Sequence, residues 1–133
     1  MLADMEPSGP TTIAVLDDEP AYRQALSRLL RAHGLEVQTF ATAGEFLAAN
    51  GGHLFACLLL DLHMPGHTGF DVLAQLKSQG QAVPVIMITG HDQPGSAATA
   101  RELGAAEYLL KPLDESALLS ALRHVSPGLL PAA

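Results

Sequence analysis

The stretch Phe55-Ala56-Cys57-Leu58-Leu59-Leu60-Asp61 is a short apolar run closed by a single carboxylate. A run of this length, rich in branched side chains and bounded by polar and turn-forming residues, reads as a strand buried on both faces of a parallel sheet. Three other runs end in a polar group. Ile13 to Leu16 is followed by Asp17 and Asp18, Val85 to Ile88 by Thr89, and Tyr108 to Leu110 by Lys111. In open α/β sheets, sites assemble outside the carboxyl ends of the strands. Five residues far apart in sequence are therefore expected to meet in one pocket of three carboxylates, one hydroxyl and one ammonium.

The segments between these runs have helical periodicity. Pro20 suits the first turn of a helix whose Tyr22, Ala25, Leu26, Leu29 and Leu30 recur at spacings of three and four before Gly34. A second strand, Glu36 to Phe40, leads to Thr42-Ala43-Gly44-Glu45, a capping-box pattern opening a helix with Phe46 and Leu47. Gly51-Gly52 breaks the chain before the Asp61 strand. A third helix is expected from about Thr68, with Phe70, Leu73 and Leu76 on one side and Gly80 beyond. A fourth, alanine-rich helix is expected over about Pro94 to Leu103, stopped by Gly104. The breakers in Asp92-Gln93-Pro94-Gly95-Ser96 predict that it starts late or moves. A fifth strand, about Glu107 to Leu110, precedes a last helix capped by Asp114, with Leu118, Leu122 and Val125, ending at Pro127. Five strands alternating with five helices predict one α/β domain with an open, doubly wound parallel sheet.

Composition narrows the function. The chain has 133 residues, enough for one core without disulfides or metals. Its single cysteine, Cys57, lies in an apolar run, is expected to be a buried hydrophobe and fits a reducing compartment. A net charge of −7 disfavours direct binding to nucleic acid or an anionic membrane, since both reward a clustered basic surface. No apolar stretch approaches the ~20 residues of a membrane span, and the first residues lack the basic start and apolar centre of a secretion signal. A cytoplasmic protein is expected.

Three carboxylates in one pocket repel one another unless a cation compensates. Hard oxygen ligands without a His/Cys cluster favour Mg²⁺, with Mn²⁺ able to substitute. A carboxylate beside such an ion can attack phosphorus and become an acyl phosphate while a lysine neutralises the phosphoryl oxygens. Asp61 is the candidate nucleophile, Asp17 and Asp18 the candidate metal ligands, Lys111 the ion-pair partner and Thr89 a hydrogen-bond donor.

Asp17-Asp18-Glu19-Pro20, Asp61-Leu62-His63-Met64-Pro65-Gly66 with Gly69, Ile88-Thr89-Gly90-His91, and Gly104 to Lys111-Pro112 together resemble the receiver domain of bacterial two-component response regulators. The Ile-Thr-Gly-His wording and Gly44-Glu45-Phe46-Leu47 are most similar to FixJ-like receivers, which usually precede LuxR-type DNA-binding domains. The resemblance implies a flavodoxin-like (βα)5 fold with sheet order 2-1-3-4-5. It divides the chain into a disordered lead-in over 1–11, a receiver over 12–125 and a short tail over 126–133.

It further implies that Asp61 accepts a phosphoryl group from a sensor histidine kinase or phosphotransfer protein. Mg²⁺ would be held by Asp17, Asp18, Asp61 and the backbone carbonyl of His63. Thr89 and Tyr108 would form the switch that reports to helix four, strand five and helix five, and Lys111-Pro112 would often be cis. The output would be a downstream effector protein, a DNA-binding domain on another or longer chain, or phosphorylation-dependent homodimerisation, with little turnover of its own. His63 stands where FixJ-like receivers often carry arginine, and His91 lies two after Thr89. Both are expected to tune the lifetime of the phosphoryl group. The stand-alone reading of the chain is favoured over a piece of a longer regulator.

Simpler readings compete. Paired acids before a helix can be caps and dipole partners, Tyr108 can be packing in an edge strand, and His33, His53, His67 and His124 read as surface residues. Among functions, a haloacid dehalogenase-like phosphatase would place its nucleophile on the first strand with a second aspartate two residues later, where this chain has His63. A flavodoxin-like electron carrier needs a first loop that cradles phosphate, and Asp17-Asp18-Glu19 would repel one. A degenerate receiver that only binds partners shares the fold and stays as the alternative, although every residue the chemistry needs is present.

Overall fold

The computed structural model describes residues 10–50, 55–80 and 82–131. The lead-in up to residue 9, the Gly51-Gly52 break and His53 lie outside them. The elements, in chain order, are β1 (Thr12–Leu16), α1 (Pro20–Ala32), β2 (Glu36–Phe40), α2 (Ala43–Asn50), β3 (Cys57–Asp61), α3 (Gly69–Ser78), β4 (Val85–Thr89), α4 (Ser96–Glu102), β5 (Glu107–Leu110) and α5 (Glu115–Val125). All four ladders are parallel and the strand order is β2-β1-β3-β4-β5.

The continuous apolar runs are buried on both sides because successive strand residues face opposite layers. Ile13, Val15, Cys57, Leu59, Ile86 and Ile88 pack with Leu26 and Leu30 of α1 and Leu118 and Leu122 of α5. Ala14, Leu16, Leu58, Leu60, Val85 and Met87 pack with Phe46 of α2, Val72, Leu73 and Leu76 of α3 and Ala100 of α4. Phe40 adds an edge-on contact with Phe46 at a ring separation of 5.5 Å. The two layers leave the upper ends of the strands open, and the loops there carry the site.

Local chemistry sets the helix ends. Thr68 accepts from the Asp71 amide while the Asp71 carboxylate accepts from the Thr68 amide, a closed capping box. Asp114 accepts from the Ala117 amide at 3.0 Å. At α2 the box is displaced: Thr42 accepts from the Glu45 amide, but the Glu45 carboxylate accepts from Ala41 rather than from Thr42. Gly34, just past α1, has φ +82°, the left-handed conformation a helix end requires there.

One expectation needs correction. Ala25 faces solvent, and Ser27 is buried in its place; alanine has so little surface that the arc through Leu26 and Leu30 decides the orientation of α1. The late start that the breakers predict for the fourth helix is seen: α4 begins at Ser96, two residues after Pro94, because Gly95 at φ +85° turns the chain and brings no side-chain cap. The stretch after α5 also folds back. Ser126 Oγ donates to the Ala56 carbonyl at 2.7 Å, Arg123 Nε to the Pro131 carbonyl at 2.9 Å, and Leu130 is buried in the α1–α5 layer. Among the described residues no helix is long and apolar enough to cross a membrane.

Candidate functional site

Asp17 and Asp18 follow β1 and Asp61 closes β3, the neighbouring strand. One carboxylate oxygen from each lies within 4.8 Å of those of the other two. Asp17 and Asp61 are buried, whereas Asp18 is exposed at the mouth. Lys111, following β5, extends over the strand ends so that Nζ stands 2.9 Å from Asp17 Oδ2 and 3.5 Å from Asp61 Oδ1. The other Asp17 oxygen accepts from the Glu19 amide at 2.9 Å, and Arg23 donates to the Asp17 carbonyl, fixing the turn into α1. The Lys111-Pro112 bond is cis.

The electrostatics follow from this crowding. Burial, and then the charge of Asp17, push the Asp61 carboxyl up to about 6, against the attraction of Lys111. Burial alone would lower the Lys111 ammonium, but its hydrogen bond to Asp17 and the charge of Asp61 outweigh that and hold it above the usual lysine range. Asp17 is thus compensated by the lysine and an amide, while Asp61 keeps a costly, incompletely neutralised charge.

Three clustered hard oxygens at an open pocket are a donor set that fits a small divalent cation. The His63 side chain points elsewhere: its Nε2 donates to the His91 carbonyl at 3.2 Å, and the two rings meet edge to face at 5.6 Å. This contact joins the loop after β3 to the loop after β4. Thr89 is fully buried, and its hydroxyl accepts from the His91 amide at 3.0 Å. Tyr108 is half-buried in β5 and donates to Asp92 Oδ1 at 2.8 Å.

The structure thus brings Asp17, Asp18, Asp61 and Lys111 into one pocket and sets Thr89 one residue beyond the Asp61 register partner Ile88. Tyr108 stands on the neighbouring edge strand, with its hydroxyl on the loop after β4. Sequence reading missed two contacts. Tyr22, read as part of an apolar helix face, lies under the Lys111 ammonium, 4.0 Å from ring centroid to Nζ. Its position one turn after Asp18 was the available signal. Asp92, read as part of a breaker-rich stretch, receives the Tyr108 hydroxyl.

Gly69 closes the site from below, its amide donating to the Leu62 carbonyl at 2.7 Å. A Cβ there would stand 2.9 Å from the Asp61 carbonyl and 3.0 Å from Leu62 Cα, both backbone atoms that cannot yield as a flexible side chain does. Gly69→Ala is therefore expected to destabilise the domain by about 2 kcal/mol. Gly44→Ala, in α2 with nothing within 4 Å of the new atom, should stabilise it by about 0.5–1 kcal/mol. Urea midpoints measure both; equal shifts in the two variants would refute the crowding at Gly69.

Comparison with known proteins agrees with this arrangement. The family model for the response regulator receiver domain matches residues 13–123. The response regulator protein TodT of Pseudomonas putida is 41% identical over 113 residues, covering 85% of this chain and 50% of TodT. The transcriptional regulatory protein FixJ of Azorhizobium caulinodans is 38% identical over 111 residues, covering 84% of this chain and 53% of FixJ. The chain spans about half the length of these relatives. Among solved structures, FixJ-N superposes with a TM-score of 0.82 at 30% identity, covering 91% of this chain and 97% of that one. The chemotaxis protein CheY4 of Vibrio cholerae gives 0.80 at 30% identity, covering 87% and 98%. With the sheet order, the acidic trio and the lysine already in place, the match over nearly all of the body shows that this chain belongs to the response regulator receiver family.

Proposed function

We propose that the domain is a phosphorylation-controlled switch in a two-component phosphorelay, with Asp61 as phospho-acceptor. The observation that carries this reading is a buried carboxylate at the end of β3, within 3.5 Å of an ammonium and clustered with two further acids. An Asp61 oxygen attacks the phosphorus of a phosphohistidine on a sensor histidine kinase or phosphotransfer protein; the P–N bond breaks and an acyl phosphate forms. Asp17, Asp18, Asp61 and the His63 carbonyl would hold Mg²⁺, or Mn²⁺ in its place, which when bound would supply positive charge to the phosphoryl oxygens.

Lys111 is close enough to transfer its pairing from Asp17 to the phosphoryl group. The Thr89 hydroxyl reaches the same group by giving up its hydrogen bond from the His91 amide. That exchange disturbs the loop bearing Asp92, which holds the Tyr108 hydroxyl, and so couples the pocket to α4, β5 and α5. Leu110 on β5 is half exposed and places an apolar side chain on that face, where an effector or a second copy would dock. The domain works once per phosphorylation rather than as a turnover enzyme, and its expected setting is the cytoplasm.

The test is intact mass after incubation with Mg²⁺ and acetyl phosphate. A labile gain of about 80 Da, absent without metal, supports an acyl phosphate; no gain under any condition supports a degenerate receiver that signals by binding alone.

The joined His63 and His91 rings link the loop two residues after Asp61 to the loop two residues after Thr89, which supports a role for both in tuning the lifetime of the phosphoryl group. His63→Ala and His91→Ala are expected to change the dephosphorylation rate in the same direction, because either substitution breaks the same contact. Unchanged decay of the phosphorylated protein in both variants would remove the histidines from the mechanism.

A further inference from the structure

Tyr22 stands in the first turn of α1, four residues after Asp18. Its ring centroid lies 4.0 Å from Lys111 Nζ, well inside the ~6 Å over which a cation is drawn to an aromatic face. The same ammonium is shared unequally by two carboxylates, at 2.9 Å from Asp17 and 3.5 Å from Asp61. A lysine carries a compact charge on a flexible four-carbon stem, so two carboxylate contacts leave its head free to swing. The ring adds a third contact from a different element.

The hydroxyl takes no part in this. It is buried and makes no hydrogen bond with any described residue. Burial, and then the charges of Asp17, Asp61 and Glu19, push the phenol well above its usual range, so the ring stays neutral. The contact with Lys111 belongs to the aromatic face.

We infer that Tyr22 is a positioning residue for Lys111: its ring holds the ammonium between Asp17 and Asp61, where the lysine meets an incoming phosphoryl group. Tyr22 touches no reacting atom and acts only through the lysine. The inference rests on the reading of Asp61 as phospho-acceptor.

Tyr22→Phe and Tyr22→Leu in the full chain test it, with Mg²⁺ and acetyl phosphate as probes. Three quantities are read: the rate of phosphoryl uptake, the Mg²⁺ affinity by calorimetry, and the NMR shift of the Lys111 ε-methylene, which a ring face moves upfield. Tyr22→Phe keeps all three. Tyr22→Leu loses the upfield shift and slows uptake about threefold to tenfold, with Mg²⁺ affinity unchanged.

A wild-type rate in Tyr22→Leu, or a Lys111 resonance that stays in place, overturns the inference. So does a Tyr22→Phe variant as slow as Tyr22→Leu, which would assign the effect to the hydroxyl. A Tyr22→Leu variant whose Mg²⁺ affinity falls in step with its rate also overturns it, since that marks a disturbed pocket. If the wild-type chain takes up no phosphoryl group, the reading of Asp61 fails, and the Lys111 resonance in the three proteins decides the contact by itself.

Discussion

Asp61→Asn is expected to abolish phosphoryl uptake and, at neutral pH without metal, to make the fold more stable. The first effect is chemical. An amide forms no acyl phosphate, and no other carboxylate can take over: both Asp17 oxygens are engaged, by Lys111 and the Glu19 amide, and Asp18 lies exposed at the mouth. The second follows from the raised carboxyl, about 6 in the folded protein against 3.8 for the free group, caused by burial and then by Asp17.

Between those values the folded state binds a proton that the unfolded chain has lost. Stability contributed by this group therefore falls as pH rises from about 4 to 6. The penalty is complete above pH 6, at roughly 2–3 kcal/mol. Asparagine carries no charge at any pH and avoids it. In chelator at pH 7.5 the variant should melt about 7–11 °C above wild type, and the gap should close near pH 4. Mg²⁺ should narrow it at pH 7.5, since wild type gains binding energy that the variant gains less of. Equal melting temperatures at pH 7.5 in chelator would contradict the electrostatic account, and a retained mass gain would contradict the assignment of the nucleophile.

The parts of this molecule visible in the sequence are those fixed by burial. A parallel strand covered on both faces must be a short apolar run, so β3 and β4 announce themselves and end at Asp61 and Thr89 as expected. Because strand ends converge in such a sheet, the meeting of Asp17, Asp18, Asp61 and Lys111 followed from the runs alone. The cap at Asp114 was equally plain, since it satisfies a helix amide with its own side chain, whereas Thr68 was read only as the start of its helix and proves to close a capping box with Asp71.

What stayed hidden depends on where a side chain turns once the loops are set. Nothing in the spacing of His63 and His91, in loops 28 residues apart, shows that their rings touch. Tyr22 packs against the core as its shared period with Leu26 and Leu29 suggests, but its place in the first turn of α1 also brings its ring to Lys111, which the period does not show. The spacing also did not show which group holds the Thr89 hydroxyl here, the His91 amide. Leu130 lies beyond a Pro-Gly break, and a single apolar residue there carries no period to reveal that it returns to the core.

Lys111→Ala is the converse of Asp61→Asn and should move stability and metal binding in opposite directions. The lysine is the cation that stands 2.9 Å from Asp17 and 3.5 Å from Asp61, and both acids are buried. Without it the two charges face each other in a poorly solvated pocket, and the metal-free domain should lose about 2–3 kcal/mol at neutral pH. Protonation of Asp61 relieves the repulsion, so this loss should shrink below pH 6. A divalent cation relieves it as well, and it no longer competes with an ammonium for the same oxygens. Mg²⁺ should therefore bind about fivefold or more tightly to the variant. Phosphoryl uptake should nevertheless fall by roughly 10²–10³, because the charge that develops on the transferring group has lost its nearest protein donor. Tighter metal with slower uptake separates a lysine that acts on the phosphoryl group from one that merely keeps the pocket folded. Weaker Mg²⁺ binding in calorimetry, or uptake at the wild-type rate, would refute this role for Lys111.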